Sequence, residues 1–180
     1  MKTSDLIEYI DAARAFGATD AKAINPKTVV TAPWVRWKCQ FGCRGFGGSH
    51  CCPPNTPGDQ ETRRLLDSYQ RAILFHLEAA RKPDRGTMCK EYFANLIKLE
   101  GRVFKDGNYK TLVLLAGPCP WCAECAKTKG EPCTHGAKAR PSMEACGIDV
   151  FQTARNNGFF IKTLSEKTET QNLYSLLLID

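Results

Sequence analysis

The chain has 180 residues, 43% of them hydrophobic, with a net charge of +6 and ten cysteines. That length and apolar fraction predict one domain, residues 1–180, with a sizeable core. The basic residues are scattered rather than gathered into a stripe with interleaved aromatics, and no apolar run reaches membrane-spanning length, so neither nucleic acid nor a membrane is an expected partner.

In chain order, the first predicted helix covers residues 4–16, with Leu6, Ile10 and Ala13 on one face and Gly17 at its end. A short strand follows at residues 21–24. Residues 36–54, rich in Gly, Cys and Pro, read as a long loop, a feature uncommon without a function. Thr56, Pro57 and Asp59 resemble a helix start, and Leu65, Leu66 and Tyr69 supply that helix's buried side. Residues 72–77 read as a buried strand. The longest helix is expected over residues 88–105, with Tyr92, Leu96, Leu99 and Val103 at helical spacing. A buried strand at 111–116 then delivers the chain into a cysteine loop. Ser142 is expected to cap a helix running to residue 156, and strands at 159–164 and 174–179 close the chain. Strands alternating with helices predict an α/β fold, a single-domain layered sheet with flanking helices and two Cys-rich metal-binding loops.

The strongest chemical signal is Cys119-Pro120-Trp121-Cys122-Ala123-Glu124-Cys125, followed by Cys133. Three thiols at every third position wrap one point, and a fourth closes the set from a distance. This spacing suits a [4Fe-4S] cluster. Zinc is the alternative, since four thiolates also make a closed tetrahedral site, although structural zinc sites more often use two separated C-x2-C knuckles. Pro118, Pro120 and Pro132 stiffen the backbone around these ligands.

The earlier loop holds Cys39, Cys43, Cys51 and Cys52, with Gly42, Gly45, Gly47 and Gly48 permitting tight turns. Cys39, Cys43 and Cys52 are credible ligands. Adjacent side chains in extended backbone point to opposite faces, so Cys51 and Cys52 should not both bind one core. Either His50 or Cys51 completes the set, or one iron is left open to water or substrate. Cys89 reads as a small core residue on an apolar helix face. Cys146 reads the same way, with contact to the second cluster as the alternative. His135 is expected to hydrogen-bond around the second site, and Arg140 with the start of the 142–156 helix to face an anion. Glu144 is accounted for by the helix dipole; a general-acid role for it or for Asp149 is the remoter reading.

The opening Met1-Lys2-Thr3-Ser4-Asp5-Leu6 contains no long apolar segment of a secretion signal, so the expected location is cytoplasmic. Clustered cysteines in a reducing compartment point to metal or redox chemistry rather than disulfides. The positive balance then compensates anionic clusters and favours an acidic docking partner.

The runs Val35-Arg36-Trp37-Lys38-Cys39-Gln40-Phe41-Gly42-Cys43, Cys52-Pro53-Pro54, Gly117-Pro118-Cys119 and Arg140-Pro141-Ser142-Met143-Glu144-Ala145-Cys146-Gly147-Ile148-Asp149-Val150 resemble a family of predicted metal-binding proteins common in anaerobic bacteria and archaea. The resemblance spans nearly the whole chain. It implies one metal site at Cys39, Cys43 and Cys52 and another at Cys119, Cys122, Cys125 and Cys133, and it implies no particular reaction. The pair Cys51-Cys52 departs from the pattern, in which one Cys precedes the two prolines. The expected function is an iron–sulfur protein with one or two [4Fe-4S] clusters in cytosolic redox metabolism, with an open-iron cluster that binds a small-molecule ligand. The alternatives are a ferredoxin-like electron carrier serving a redox partner protein, and a structural or regulatory zinc protein. No nucleotide-binding loop of P-loop or Rossmann type is present.

Overall fold

Strand β2 (Arg71–Ala79) divides its side chains between two cores, as the two-residue period of a strand requires. Ile73, Phe75 and Leu77 enter one core, and Ala72 and Leu74 enter the other. Strand β4 (Gln171–Ile179) does the same, with Leu177 and Ile179 on one side and Tyr174, Leu176 and Leu178 on the other. Their antiparallel register sets Ala72 opposite Leu178 and Leu74 opposite Leu176. Strand β1 (Asp20–Ile24) pairs with the free side of β2, and β3 (Leu112–Leu114) with the free side of β4. The sheet of the described residues therefore has the order β1-β2-β4-β3, antiparallel throughout. The computed structural model describes residues 6–166 and 168–180.

Helices cover both faces, giving an α/β fold. On the first face, α1 (Ile7–Ala15) contributes Tyr9 and Ala13, and α4 (Arg85–Lys105) contributes Tyr92, Leu96, Leu99 and Val103 at three- and four-residue spacing. On the second face lie Leu66 of α3 (Asp59–Asp67), Met143, Cys146 and Ile148 of the connection between β3 and α5 (Val150–Asn156), and Ala154 of α5. Two covered faces explain why the central strands are continuous apolar runs rather than alternating ones. No helix among the described residues is long and apolar enough to cross a membrane.

Four expectations need correction. Residues 36–42 are not loop: they belong to α2 (Pro33–Gly42), which opens on a proline whose fixed φ suits the first helical turn. Thr56 does not cap α3; the N-cap is Gly58, whose N–H donates to Glu61 Oε2 at 3.0 Å. The helix expected over 142–156 is broken in two. A 3-10 turn (Glu144–Cys146) ends at Gly147 with φ +78°, and Asp149 restarts the chain as the cap of α5, accepting from the Gln152 N–H at 2.9 Å. Residues 159–164 form no strand: Phe159 and Ile161 are buried, but this segment joins no ladder, and its Phe160 carbonyl accepts from Tyr174 Oη at 2.8 Å. Ser4 of the expected first helix lies outside the described residues.

Candidate metal centre

The first cysteine group grows from the end of α2. Cys39 sits in its last turn and Cys43 is its C-cap, with the Cys43 N–H donating to the Cys39 carbonyl at 3.2 Å, so one helical turn brings both thiols together. The Gly45 N–H donates to Cys43 Sγ at 3.4 Å. Beyond it the chain folds onto itself: Gly47, with φ +75°, donates to the Pro53 carbonyl at 2.7 Å, and the Cys52 N–H donates to the Ser49 carbonyl at 3.2 Å. These contacts return Cys52 to the neighbourhood of Cys43 and Cys39. Burial raises the pKa of Cys39, and proximity to Cys43 raises it further. Burial likewise raises Cys52, while a hydrogen bond from Ser49 pulls it back.

The position of α2 depends on Arg36. Its Nη1 lies among four oxygens: Thr56 Oγ1 at 2.7 Å, Ala145 O at 2.7 Å, Pro57 O at 3.0 Å and Thr56 O at 3.1 Å. Thr56 Oγ1 itself donates to Ala145 O at 2.6 Å. One guanidinium thus joins the cysteine helix, the start of α3 and the Glu144 turn.

The second group hangs from β3. The loop is closed at its base where Leu115 and Ser142 bridge in parallel, with Leu115 N donating to Pro141 O at 2.9 Å and Met143 N to Leu115 O at 3.0 Å. Beside this closure Arg140 forms an ion pair with Glu100 at 2.7 Å, and Glu100 also accepts from the Val113 N–H at 2.8 Å. Arg140 therefore does not face an anion at the metal loop, as its position in the sequence suggested; its charge is taken by a nearly buried glutamate on α4. Within the loop, Trp121 Nε1 donates to Lys138 O at 2.7 Å, and His135 Nδ1 lies 2.9 Å from Thr134 Oγ1 and 3.5 Å from Cys122 Sγ.

The two loops meet. His50 Nε2 lies 2.9 Å from the Glu131 carbonyl, joining the first loop to the second. Between them is a cavity of about 310 Å³, bordered by Cys51 and Cys52 from one side and by Cys119, Cys122, Cys125 and Cys133 from the other. Cys51 is buried, and its thiol is hydrogen-bonded to Cys119 with Cys133 and Cys52 close by, whereas the thiol of Cys52 has Cys43 and Cys39 as its first sulfur neighbours and Cys119 after them. The adjacent cysteines thus differ in their foremost sulfur neighbour, Cys119 for Cys51 and Cys43 for Cys52. The contact of Cys51 with Cys119, together with the Trp121 N–H, lowers Cys119 to about 6, and the same hydrogen bond and burial raise Cys51. The backbone N–H groups of Lys127 and His50 lower Cys125.

The remaining cysteines stand apart. Cys89 packs against the first core, and Cys146 is buried in the second, where loss of water pushes its thiol up to about 12. Glu144 is more than the exposed dipole partner its position in the sequence favours: its carboxyl oxygen Oε2 is buried without a hydrogen-bond partner, and burial raises its pKa. Glu100 was not anticipated at all; its sequence signal is a charge immediately after Leu99 in an otherwise apolar helix stripe.

The donor chemistry fits a thiolate-bound metal group. Among the described residues no three Cys, His, Asp or Glu side chains converge as they would on a single ion. Cys51, Cys52, Cys119, Cys122, Cys125 and Cys133 are instead distributed around a void, with backbone N–H groups directed at Cys119 and Cys125.

The chain matches the model of a family described as predicted metal-binding protein (DUF2284) over residues 22–179. No curated protein and no solved structure matches it. The chain belongs to this metal-binding family.

Proposed function

We propose that this member of a metal-binding family is an iron–sulfur protein with two [4Fe-4S] clusters, one closed and one open. Cys119, Cys122, Cys125 and Cys133 hold the closed cluster, and Cys39, Cys43 and Cys52 hold the open one. The observation that carries this reading is the division of Cys51 from Cys52: the thiol that would complete the first set is turned to Cys119 and leaves that set at three. A four-iron cluster held by three thiolates supplies an exchangeable Lewis-acidic iron. Distribution of the thiols around a cavity, rather than about a point, favours a cluster over a lone zinc ion, whose sulfur ligands all lie at about 2.3 Å.

The protein's own groups have separable tasks. The hydrogen bonds to Cys119 and Cys125 stabilise the thiolate forms that a metal requires. Arg36 fixes α2, and with it Cys39, against the Glu144 turn. Electrons come from a cytoplasmic redox partner protein. Trp37 and Phe41, their rings tilted against each other with centroids 5.8 Å apart and both well exposed on α2, lie next to the first group and offer the partner a contact face.

Anaerobically purified protein is expected to contain about eight irons with matching sulfide. Cyanide or a small thiol should alter the spectrum of one cluster only, and Cys39→Ala should abolish that response. Stoichiometric zinc without sulfide overturns the cluster reading. Eight irons with no response to added ligand makes the protein an electron carrier with two closed clusters.

A further inference from the structure

A second cavity, of about 670 Å³, shares no lining residue with the one between the cysteine loops. Cys39, Cys43 and Glu144 are among the residues that line it. Its floor is apolar and buried: Val35, Ile148, Ile161 and Tyr174. Its volume falls within the range of small-molecule sites.

The charges around it are unevenly matched. Lys38 and Arg155 border the cavity, and each rests over an aromatic ring of the same wall, Lys38 Nζ at 5.0 Å from Trp34 and Arg155 at 5.9 Å from Phe151. The structure shows no carboxylate paired with either among the described residues. The third cation, Lys162, is engaged by Glu169 at 2.6 Å. The acids of the wall are committed elsewhere: Asp149 caps α5, and Glu144 is withdrawn so that its Oε2 reaches neither cation. The cavity lining thus combines two exposed cations, buried apolar side chains and Glu144, which has an unpartnered carboxyl oxygen and lies near Cys39.

We propose that this cavity binds a small organic carboxylate with an apolar body, its carboxylate held by Lys38 and Arg155 and its far end directed to the first cysteine group. The proposal deepens the open-cluster reading by naming the substrate class, and it rests on that reading for the role of the far end only. Arg155 supplies a planar fork suited to a carboxylate, and Lys38 a point charge. The aromatic rings beneath them restrict both side chains, which lowers the entropy lost on binding.

The test is calorimetric titration of the anaerobically purified holoprotein with hexanoate and with 1-hexanol, each repeated on Arg155→Gln and Lys38→Gln. Iron and sulfide are assayed on every sample. Hexanoate should bind at least tenfold more tightly than hexanol. Each variant should weaken hexanoate by about fivefold or more and leave hexanol unchanged, with iron content as in the wild type. Equal affinity for the acid and the alcohol, no measurable binding of either, or hexanoate binding indifferent to both substitutions overturns the proposal. Zinc in place of iron with the hexanoate preference intact overturns the cluster reading and leaves the carboxylate site standing. Should Lys38→Gln lose iron because of its place beside Cys39, Arg155→Gln, at the remote end of α5, decides the matter alone.

Discussion

Cys51 is the residue whose role is most sharply tested by a single substitution. It contacts Cys119 from the protein interior, and hydrogen bonds to ligand sulfurs stabilise the added negative charge of a reduced cluster. Cys51→Ala should therefore retain about eight irons and lower the reduction potential of one cluster, read by redox titration under electron paramagnetic resonance. Loss of half the iron would make Cys51 a ligand instead. Gly147 is a second sensitive position. Its φ of +78° disfavours any side chain, and an added Cβ would sit 2.9 Å from both Cα and Cβ of Asp59. Gly147→Ala should cost roughly 3 kcal/mol, seen as a lowered melting temperature, because strain and a clash with backbone act together. At this scale the sequence marks out the candidate ligand thiols, since Cys, Pro and Gly cluster around them. It does not reveal that Cys51 faces Cys119, because that contact joins loops 68 positions apart and depends on how both are hung from the sheet. The orphan oxygen of Glu144 is hidden for the same reason.

At the scale of elements, the metal loops are held at their bases rather than along their lengths. The Arg140–Glu100 pair closes the second loop, with side-chain exposures of 23% and 8%. Removing one partner strands the other charge, so Arg140→Met should destabilise by about 3 kcal/mol, whereas Arg140→Met combined with Glu100→Leu should recover part of that loss. Thermal unfolding of the three proteins measures this, and the same samples should lose iron from the second site before the first. Arg36→Gln removes the charge from a nest of four oxygens and should release the first site instead, with a stability loss of about 2 kcal/mol. Long periodic elements were legible: α4 and the two central strands follow directly from spacing. The broken helix was not, although both signals were present, Gly147 as a terminator and Asp149 as a new cap; the apolar spacing of Met143, Cys146 and Val150 ran across the break and concealed it. Residues 36–42 misled in the opposite way, because glycines and cysteines after the helix outweighed Pro33 at its start. Phe159 and Ile161 have the alternation of a strand but no ladder partner, and alternation describes burial without guaranteeing pairing.

Across the whole molecule, the sheet separates the rigid from the chemical. Two apolar cores clamp β2 and β4, while both cysteine groups lie in connections outside the sheet. The loops nonetheless have one shared part, the peptide between Cys51 and Cys52. Neighbouring Cα atoms are about 3.8 Å apart, so the two groups are tethered more closely than any separate loops could be. Charge placed on one is felt by the other. For two clusters so joined, the first electron makes the second harder to add. Dismantling the first site with Cys39→Ala should accordingly raise the potential of the surviving cluster, and an unchanged potential would show the centres to be independent. The same proximity should split the paramagnetic resonance lines when both clusters are reduced. A pair of neighbouring thiols would then make the protein a graded acceptor, one that takes electrons in two unequal steps and can offer a bound molecule the second at greater driving force than the first.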